Sequence, residues 1–308
     1  MNDIGQATAD LRADGFAVSD LRVLDGRHPD RPVLAAVLDG KPVVAKVFVG
    51  RDASSRAHAA HQLAVSLWRS PLGGMRSGPG IAAPIGWSPS AAAVLSELVE
   101  GAPLGSRGEL GGALTHGAAA AELLADLHLV DVATVDPCLA PMRSTGKLLR
   151  SLRRKAAELA GAIGPAATDV VDALESTARP PLVSTITHGD FTPRNLLIDH
   201  DALRIIDFDR ARLASPGRDV AYWRAWCWAT ELLHGAVPSW GVTLPFVEHY
   251  LAAAPAHRDE IERSQRMHLA AGLVRISHGW SALASLPNLQ LRVVGEAAAI
   301  ARGAVDVE

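Results

Sequence analysis

ITHGDFTPRNLLIDHDALRIIDFD, residues Ile186 to Asp209, sets buried-strand residues beside Asp190, Asn195 and Asp207. Carboxylate and amide side chains are costly in apolar surroundings unless a partner satisfies them. LLID and LRIID read as two short apolar strands joined across His200, Asp201 and Ala202. Folded as a hairpin about Asp201, they place Asn195 opposite Asp207, since both lie equally far from the turn. Directly opposed residues bring their Cβ atoms to about 5 Å. An amide oxygen and a carboxylate at that spacing suit one oxygen-loving cation. Mg²⁺ fits, because it takes few protein ligands and completes its shell with water and phosphate oxygens. Asp190 precedes Asn195 on a loop, near that cation and available for another task.

Before this stretch the chain changes character. PVLAAVLDGKPVVAKVFVG holds two β-rich runs joined by Asp39-Gly40, a hairpin signal. In the following segment Ala60, Leu63, Ala64, Leu67 and Trp68 recur at helical spacing. A Gly/Ser/Pro loop from Ser70 to Gly80 leads to a strand pair, Ile81–Trp87 and Ala91–Leu98. The first hundred residues thus read as strands around one helix. GAPLG, from Gly101, is a hinge, after which the pattern turns helical: THGAAAAELLADLHLV, then STGKLLRSLRRKAAELAGAI, ended by Gly164-Pro165. Residues 219 to 304 read as further helices. The expectation is an α+β, bilobal chain: residues 1–98 form a small antiparallel-sheet lobe, and 99–308 a larger, mostly helical lobe.

Bulk properties narrow the function. A net charge of −3 and no basic cluster with interleaved aromatics argue against nucleic acid. No run of apolar residues is long enough to span a membrane, and the acidic start, MNDIGQATADLRADGF, has no signal-peptide core. Cys138 and Cys227 lie far apart without metal-ligand spacing and read as reduced core residues, so the cytoplasm is the expected compartment. No protein partner is implied.

HGDFTPRN followed by IIDFD resembles the catalytic loop and metal-binding strand of the aminoglycoside phosphotransferase and choline kinase family, small-molecule relatives of protein kinases. Other parts occur in the family's order. VVAKVF resembles its third strand, LSELVEGAPL its hinge, ELLADLHLV a helix ending in Leu-His, and SPGRDVAYW the segment that braces the catalytic loop. The resemblance implies a protein-kinase-like fold with ATP or GTP as co-substrate and Mg²⁺ as cofactor. Lys46 is then the ligand of the α- and β-phosphates, and the backbone from Glu97 to Val99 receives the base. Asn195 and Asp207 hold the metal, and Asp190 accepts the proton of a small-molecule hydroxyl. His188 and Asp219 support the loop. Arg194 reads either as a phosphate contact or as a solvated surface residue.

Two departures stand out. Kinases of this type pair the strand lysine with a helical glutamate, yet between Lys46 and Glu97 the only acid is Asp52. Gln62, His61, Asp52 or Asp207 is left as the partner. That gap keeps a second reading open, a catalytically weak, pseudokinase-like nucleotide binder. The early loop LDGRHPDRPVL also lacks the Gly-rich pattern of protein kinases. Asp207 and Asp219 lie too close in sequence for a long activation segment, which argues against a protein substrate. A third reading, a metal-dependent hydrolase built on His188 and Asp190, lacks a further histidine pair at ligand spacing.

The acceptor is not legible. Residues 211–308 balance nine acidic against nine basic side chains, which disfavours a polycationic aminoglycoside. Five tryptophans (Trp223, Trp226, Trp228, Trp240 and Trp280) offer faces for a quaternary amine or an apolar antibiotic, but Trp223 and Trp226, three apart on a helix, read first as core. DEIER, Asp259 to Arg263, reads as an exposed charged face. Antibiotics, choline and sugars all stay in range.

Overall fold

Asp39 and Gly40 turn the chain with φ of 50° and 77°, so both central residues occupy the left-handed region that a type I′ hairpin demands. The register follows, with Leu38 opposite Lys41 and Val33 opposite Lys46. In the computed structural model the described residues are 4–25, 32–74, 80–106, 109–135, 144–199 and 202–307. Cys138, the middle of the early loop, part of the Ser70–Gly80 loop and the His200-Asp201 turn lie outside them.

The chain divides into two compact units. One comprises Met1–Ala102, Asp131–Leu139 and Leu197–Asp209, and is built on a sheet. Its elements are α1 (Ile4–Ala13), β1 (Val18–Asp25), β2 (Val33–Leu38), β3 (Lys41–Val47), α2 (Ala53–Arg69), β4 (Pro84–Ser88) and β5 (Ala93–Glu97). The antiparallel sheet runs β1-β2-β3-β5-β4. One face buries Leu11, Val18, Leu34, Val43, Ala45 and Leu95 in a common core. Each fully buried leucine or valine there contributes roughly 1.5–3 kcal/mol of transfer free energy.

Two expectations need correction here. The unit holds a second helix, α1, because Leu11 and Ala7 present an apolar edge that packs beside Phe16. The strand expected from Ile81 begins only at Pro84, and Ile81 instead forms a parallel bridge with Ile205.

The other unit, Pro103–Val130, Ala140–Leu196 and Arg210–Glu308, is mainly helical. The two-residue β6 (Ala102–Pro103) lies at the division. Then follow α3 (Gly111–Thr115), α4 (Gly117–His128), α5 (Thr145–Ile163), α6 (Ala166–Thr177), β7 (Thr185–Thr187), β8 (Leu196–Asp199), β9 (Ala202–Ile205), β10 (Arg212–Ala214) and α7 (Gly217–Leu233). The chain closes with α8 (Leu244–Ala253), α9 (Arg258–Gly279), α10 (Ser281–Ala284) and α11 (Pro287–Ala301). Strands β8 (from Leu197) and β9 belong to the sheet unit despite their late position.

Ser144 caps α5 by accepting the Lys147 N–H, and Gly164 ends it with φ 79°. Just beyond lies α6, which the sequence reading passed over; Ala167, Val170, Val171 and Leu174 bury its one apolar stripe. Helix α7 is buried on nearly all sides and packs against α9. All five tryptophans of this region are interior: Trp223 stacks on Phe246, Trp226 meets Trp280 edge-on and Trp228 stacks on Trp240. They are core, not a ligand platform. DEIER also departs from expectation, since Glu260 is buried and accepts the Ser215 hydroxyl and the Leu182 N–H. Cys227 is a free, buried thiol whose pKa burial pushes up.

Candidate active site

In the helical unit β7 delivers His188, Gly189 and Asp190 into a sharp turn. Gly189 has φ 78°, and a Cβ there would sit 2.2 Å from the carbonyl oxygen of Arg210. Only glycine fits, by backbone conformation and by space. Asp219, in the first turn of α7, ties the turn down: its carboxylate accepts the N–H of His188 at 2.6 Å and of Gly189 at 2.8 Å. It also pairs with His128 Nε2 at 3.3 Å, from the end of α4. Burial opposes the charged carboxylate, but the His128 contact and nearby cations outweigh it and hold Asp219 down to about 2. His128 itself bonds the Tyr250 hydroxyl, which bonds His257. The Asp190 N–H donates to His188 Nδ1 at 3.2 Å, so the histidine ring closes the turn from inside.

Asp190 is the polar centre of this unit, and its side chain is only 5% exposed. Arg194 Nη2 donates to Oδ2 at 2.8 Å, while Arg210 Nη1 and Arg275 Nη2 each stand 3.8 Å from Oδ1. Oδ1 accepts no hydrogen bond among the described residues. Burial works to raise this carboxylate's pKa, and the guanidiniums of Arg210, Arg194 and Arg275 override it, holding it below the usual range. Asn195 closes a 3₁₀ turn, Pro193–Asn195, and its Nδ2 donates to the Asp190 carbonyl at 2.8 Å.

The sheet unit carries the second group. Lys46 leaves β3 and meets two carboxylates, Asp207 Oδ1 at 2.7 Å and Asp209 Oδ2 at 2.6 Å. Burial disfavours the ammonium, and Asp207 then Asp209 outweigh that cost and raise its pKa above the ordinary lysine value. Of the partners the sequence left open, Asp207 is therefore used. Gln62 bonds His58 instead, and His61 Nδ1 is buried without a hydrogen-bond partner among the described residues. Asp52 stands at the N-terminus of α2 in the left-handed region.

The strand register offered for the metal pair does not hold. Strand β8 begins at Leu196 and β9 ends at Ile205, so neither Asn195 nor Asp207 sits in the ladder. Pro193 starts a turn that takes Asn195 out of the strand, and Asp207 follows with φ 66°. Asn195 keeps its amide oxygen unbonded among the described residues because Nδ2 serves Asp190, and the Asp207 side chain is 39% exposed. Among the described residues no cluster of three or more His, Cys, Asp or Glu is placed to hold a metal.

At the strand end, the Glu97 N–H donates to Ala83 and the Leu98 N–H to Pro42, while the Glu97 side chain pairs with Arg204. The Val99 N–H has no partner among the described residues. Sequence reasoning missed Asp209, Arg210 and Arg275. Asp209 and Arg210 sit in the quoted stretch or directly after it and were open to reading; Arg275 lies in α9 with no local motif to mark it.

The family described as "Phosphotransferase enzyme family" matches residues 30–258. A search of curated proteins returns no significant match. Among solved structures, the choline kinase of Cryptosporidium parvum Iowa II is similar at 11% identity and a TM-score of 0.67, over 97% of this chain and 94% of that one. A putative aminoglycoside phosphotransferase of Ralstonia eutropha JMP134 is similar at 16% identity and TM-score 0.64, over 98% of both chains. The macrolide 2′-phosphotransferase MphH of Brachybacterium faecium is similar at 17% identity and TM-score 0.59, over 99% of this chain and all of that one. These likenesses fix the fold: an α+β chain with a sheet-built N-terminal lobe and a helical C-terminal lobe, of protein-kinase-like type.

Proposed function

The chain belongs to the phosphotransferase enzyme family, and we propose that it moves the γ-phosphate of ATP or GTP to a hydroxyl group of a small molecule. The observation that carries this reading is the Lys46–Asp207 pair. It sets a cation suited to phosphate oxygens beside a carboxylate suited to a metal, both within the sheet unit.

Each residue then has a role. Lys46 offsets the charge of the α- and β-phosphates, and the Val99 N–H together with the Glu97 carbonyl receives the base. Asp207 supplies the anionic oxygen for Mg²⁺ and Asn195 the neutral one. The ion, when bound, neutralises charge on the phosphates. Asp190 Oδ1 accepts the hydroxyl's hydrogen bond and aims the oxygen. The hydroxyl oxygen forms the new bond to phosphorus while the bond to the β,γ-bridging oxygen breaks. Its electrons leave with the nucleoside diphosphate, and the hydroxyl proton passes to Asp190. His188 and Asp219 position the loop.

The missing glutamate between Lys46 and Glu97 favours a second reading, a nucleotide binder of low turnover. Mg²⁺-dependent turnover of ATP and GTP across aminoglycosides, macrolides, cyclic peptides, choline, sugars and hydroxy acids separates the two. Transfer to any acceptor supports the enzyme. Binding without transfer supports the alternative, and absence of nucleotide binding refutes both.

A further inference from the structure

We propose that the acceptor carries a carboxylate or phosphate group close to the hydroxyl it presents to Asp190, and that Arg275, Arg210 and Lys155 recognise that anion. The proposal rests on the reading of Asp190 as the acceptor's base.

The surroundings of Asp190 are over-supplied with positive charge. Three guanidiniums, those of Arg194, Arg210 and Arg275, lie within 3.8 Å of its carboxylate. One negative charge cannot neutralise three. Other nearby carboxylates are committed elsewhere: Glu158 binds His278 and Arg154, and Asp219 holds the loop backbone and His128. Lys155, half-buried on α5, donates to His278 Nδ1 at 3.2 Å. His278 lies three positions after Arg275 on α9, on the same face of that helix, so the ammonium stands beside the guanidinium's turn.

Arg275 is held ready rather than left loose. Its guanidinium lies over the Tyr222 ring, 4.1 Å from the centroid, and Nη2 donates to the Gly189 carbonyl at 3.0 Å. At 3.8 Å its contact to Oδ1 is too long for a hydrogen bond, and that buried oxygen has no hydrogen-bond partner among the described residues. Like charges gathered in a partly buried place repel one another, and an incoming anion relieves that repulsion. A guanidinium fork suits carboxylate and phosphate oxygens in particular. A cationic acceptor would add to the repulsion, which is how a site rejects the wrong partner. Arginines beside a catalytic aspartate also suit the transferred phosphoryl group, and the experiment must separate that use from acceptor recognition.

The full-length protein is assayed with Mg·ATP against matched acceptors: D-glycerate and glycerol phosphate as anions, glycerol as the neutral counterpart, choline and kanamycin as cations. ATP hydrolysis without acceptor is followed alongside, and D-glycerate binding is measured by calorimetry. The expected result is use or binding of the anionic arm at least tenfold better than glycerol. Arg275→Gln and Lys155→Gln should each raise the KM or Kd for the anion about ten- to hundredfold, with a smaller change in kcat. Lys155→Gln keeps the test open if Arg275→Gln fails to fold, since its ammonium bonds His278 and not the loop. Preference for glycerol, choline or kanamycin overturns the proposal, as does an anionic arm that neither reacts nor binds. An equal fall in kcat on every acceptor at unchanged KM overturns it too, by assigning the cations to the phosphoryl group. Binding of D-glycerate with no ATP turnover of any kind would instead refute the phosphotransferase reading and leave the anion site standing.

Discussion

Lys46 Nζ lies 2.7 Å from Asp207 Oδ1 although 161 residues separate the two in sequence. This pair, with Asp209 as the second acceptor, takes the place of the lysine–glutamate pair that the sequence lacks. Lys46→Met should therefore weaken Mg·ATP binding by at least about tenfold, because a charge-assisted contact to phosphate is worth roughly 1.5–3 kcal/mol. Titration of the variant by calorimetry checks it; wild-type affinity would remove Lys46 from the phosphate site.

Position 62 should be silent. Gln62 bonds His58 in the same helix and leaves Lys46 to the aspartates. Gln62→Glu is expected to change nucleotide Kd by less than about threefold, because an i,i+4 pair with His58 is worth only about 0.2–0.5 kcal/mol. A tenfold tighter Kd would show that a helical glutamate can capture the lysine.

Asp190→Ala should lower transfer about 10²- to 10⁴-fold while nucleotide binding survives. Its pH signature follows from the depressed pKa. A base must be deprotonated, and Asp190 stays so at any pH above its folded value, which lies below 3.8. We expect kcat/KM to show no acid limb from this residue above about pH 4. Removing Arg210 takes away the largest attraction opposing burial, so Arg210→Gln should move that limb upward. An Asp190-dependent limb near pH 6 in the wild type would contradict the assignment.

Asp219 links the loop to stability. Its folded pKa, about 2, lies under the ordinary 3.8, so its contribution is present above 3.8 and is lost as pH falls toward 2. The shift corresponds to roughly 2 kcal/mol. Asp219→Asn should destabilise the protein by about 3 kcal/mol at pH 7 in urea unfolding, because it leaves buried donors without an anion. The gap to wild type should narrow only below pH 4.

Gly189→Ala confronts both a left-handed backbone and the Arg210 carbonyl. A loss of about 2 kcal/mol or more is expected, together with loss of transfer. Thermal unfolding and turnover measure the two; a variant with wild-type values for both would show that the turn is not held as described.

The sequence alone determined what depends on neighbours along the chain. Asp39-Gly40 fixed a hairpin because two adjacent residues accept positive φ, and Ser144 and Gly164 bounded α5 through local capping. The run from His188 to Asn195 is legible as one loop, because those residues are close neighbours along the chain. Tertiary structure decided the rest. The partner of Lys46, the place of Arg275 beside Asp190 and the burial of Glu260 under Ser215 each join segments more than forty residues apart. Helical and strand periods report which face of an element is apolar, not which distant charge will meet it. An arginine on α9 reads as a solvated charge until the chain closes and sets it against the one carboxylate that the loop has buried.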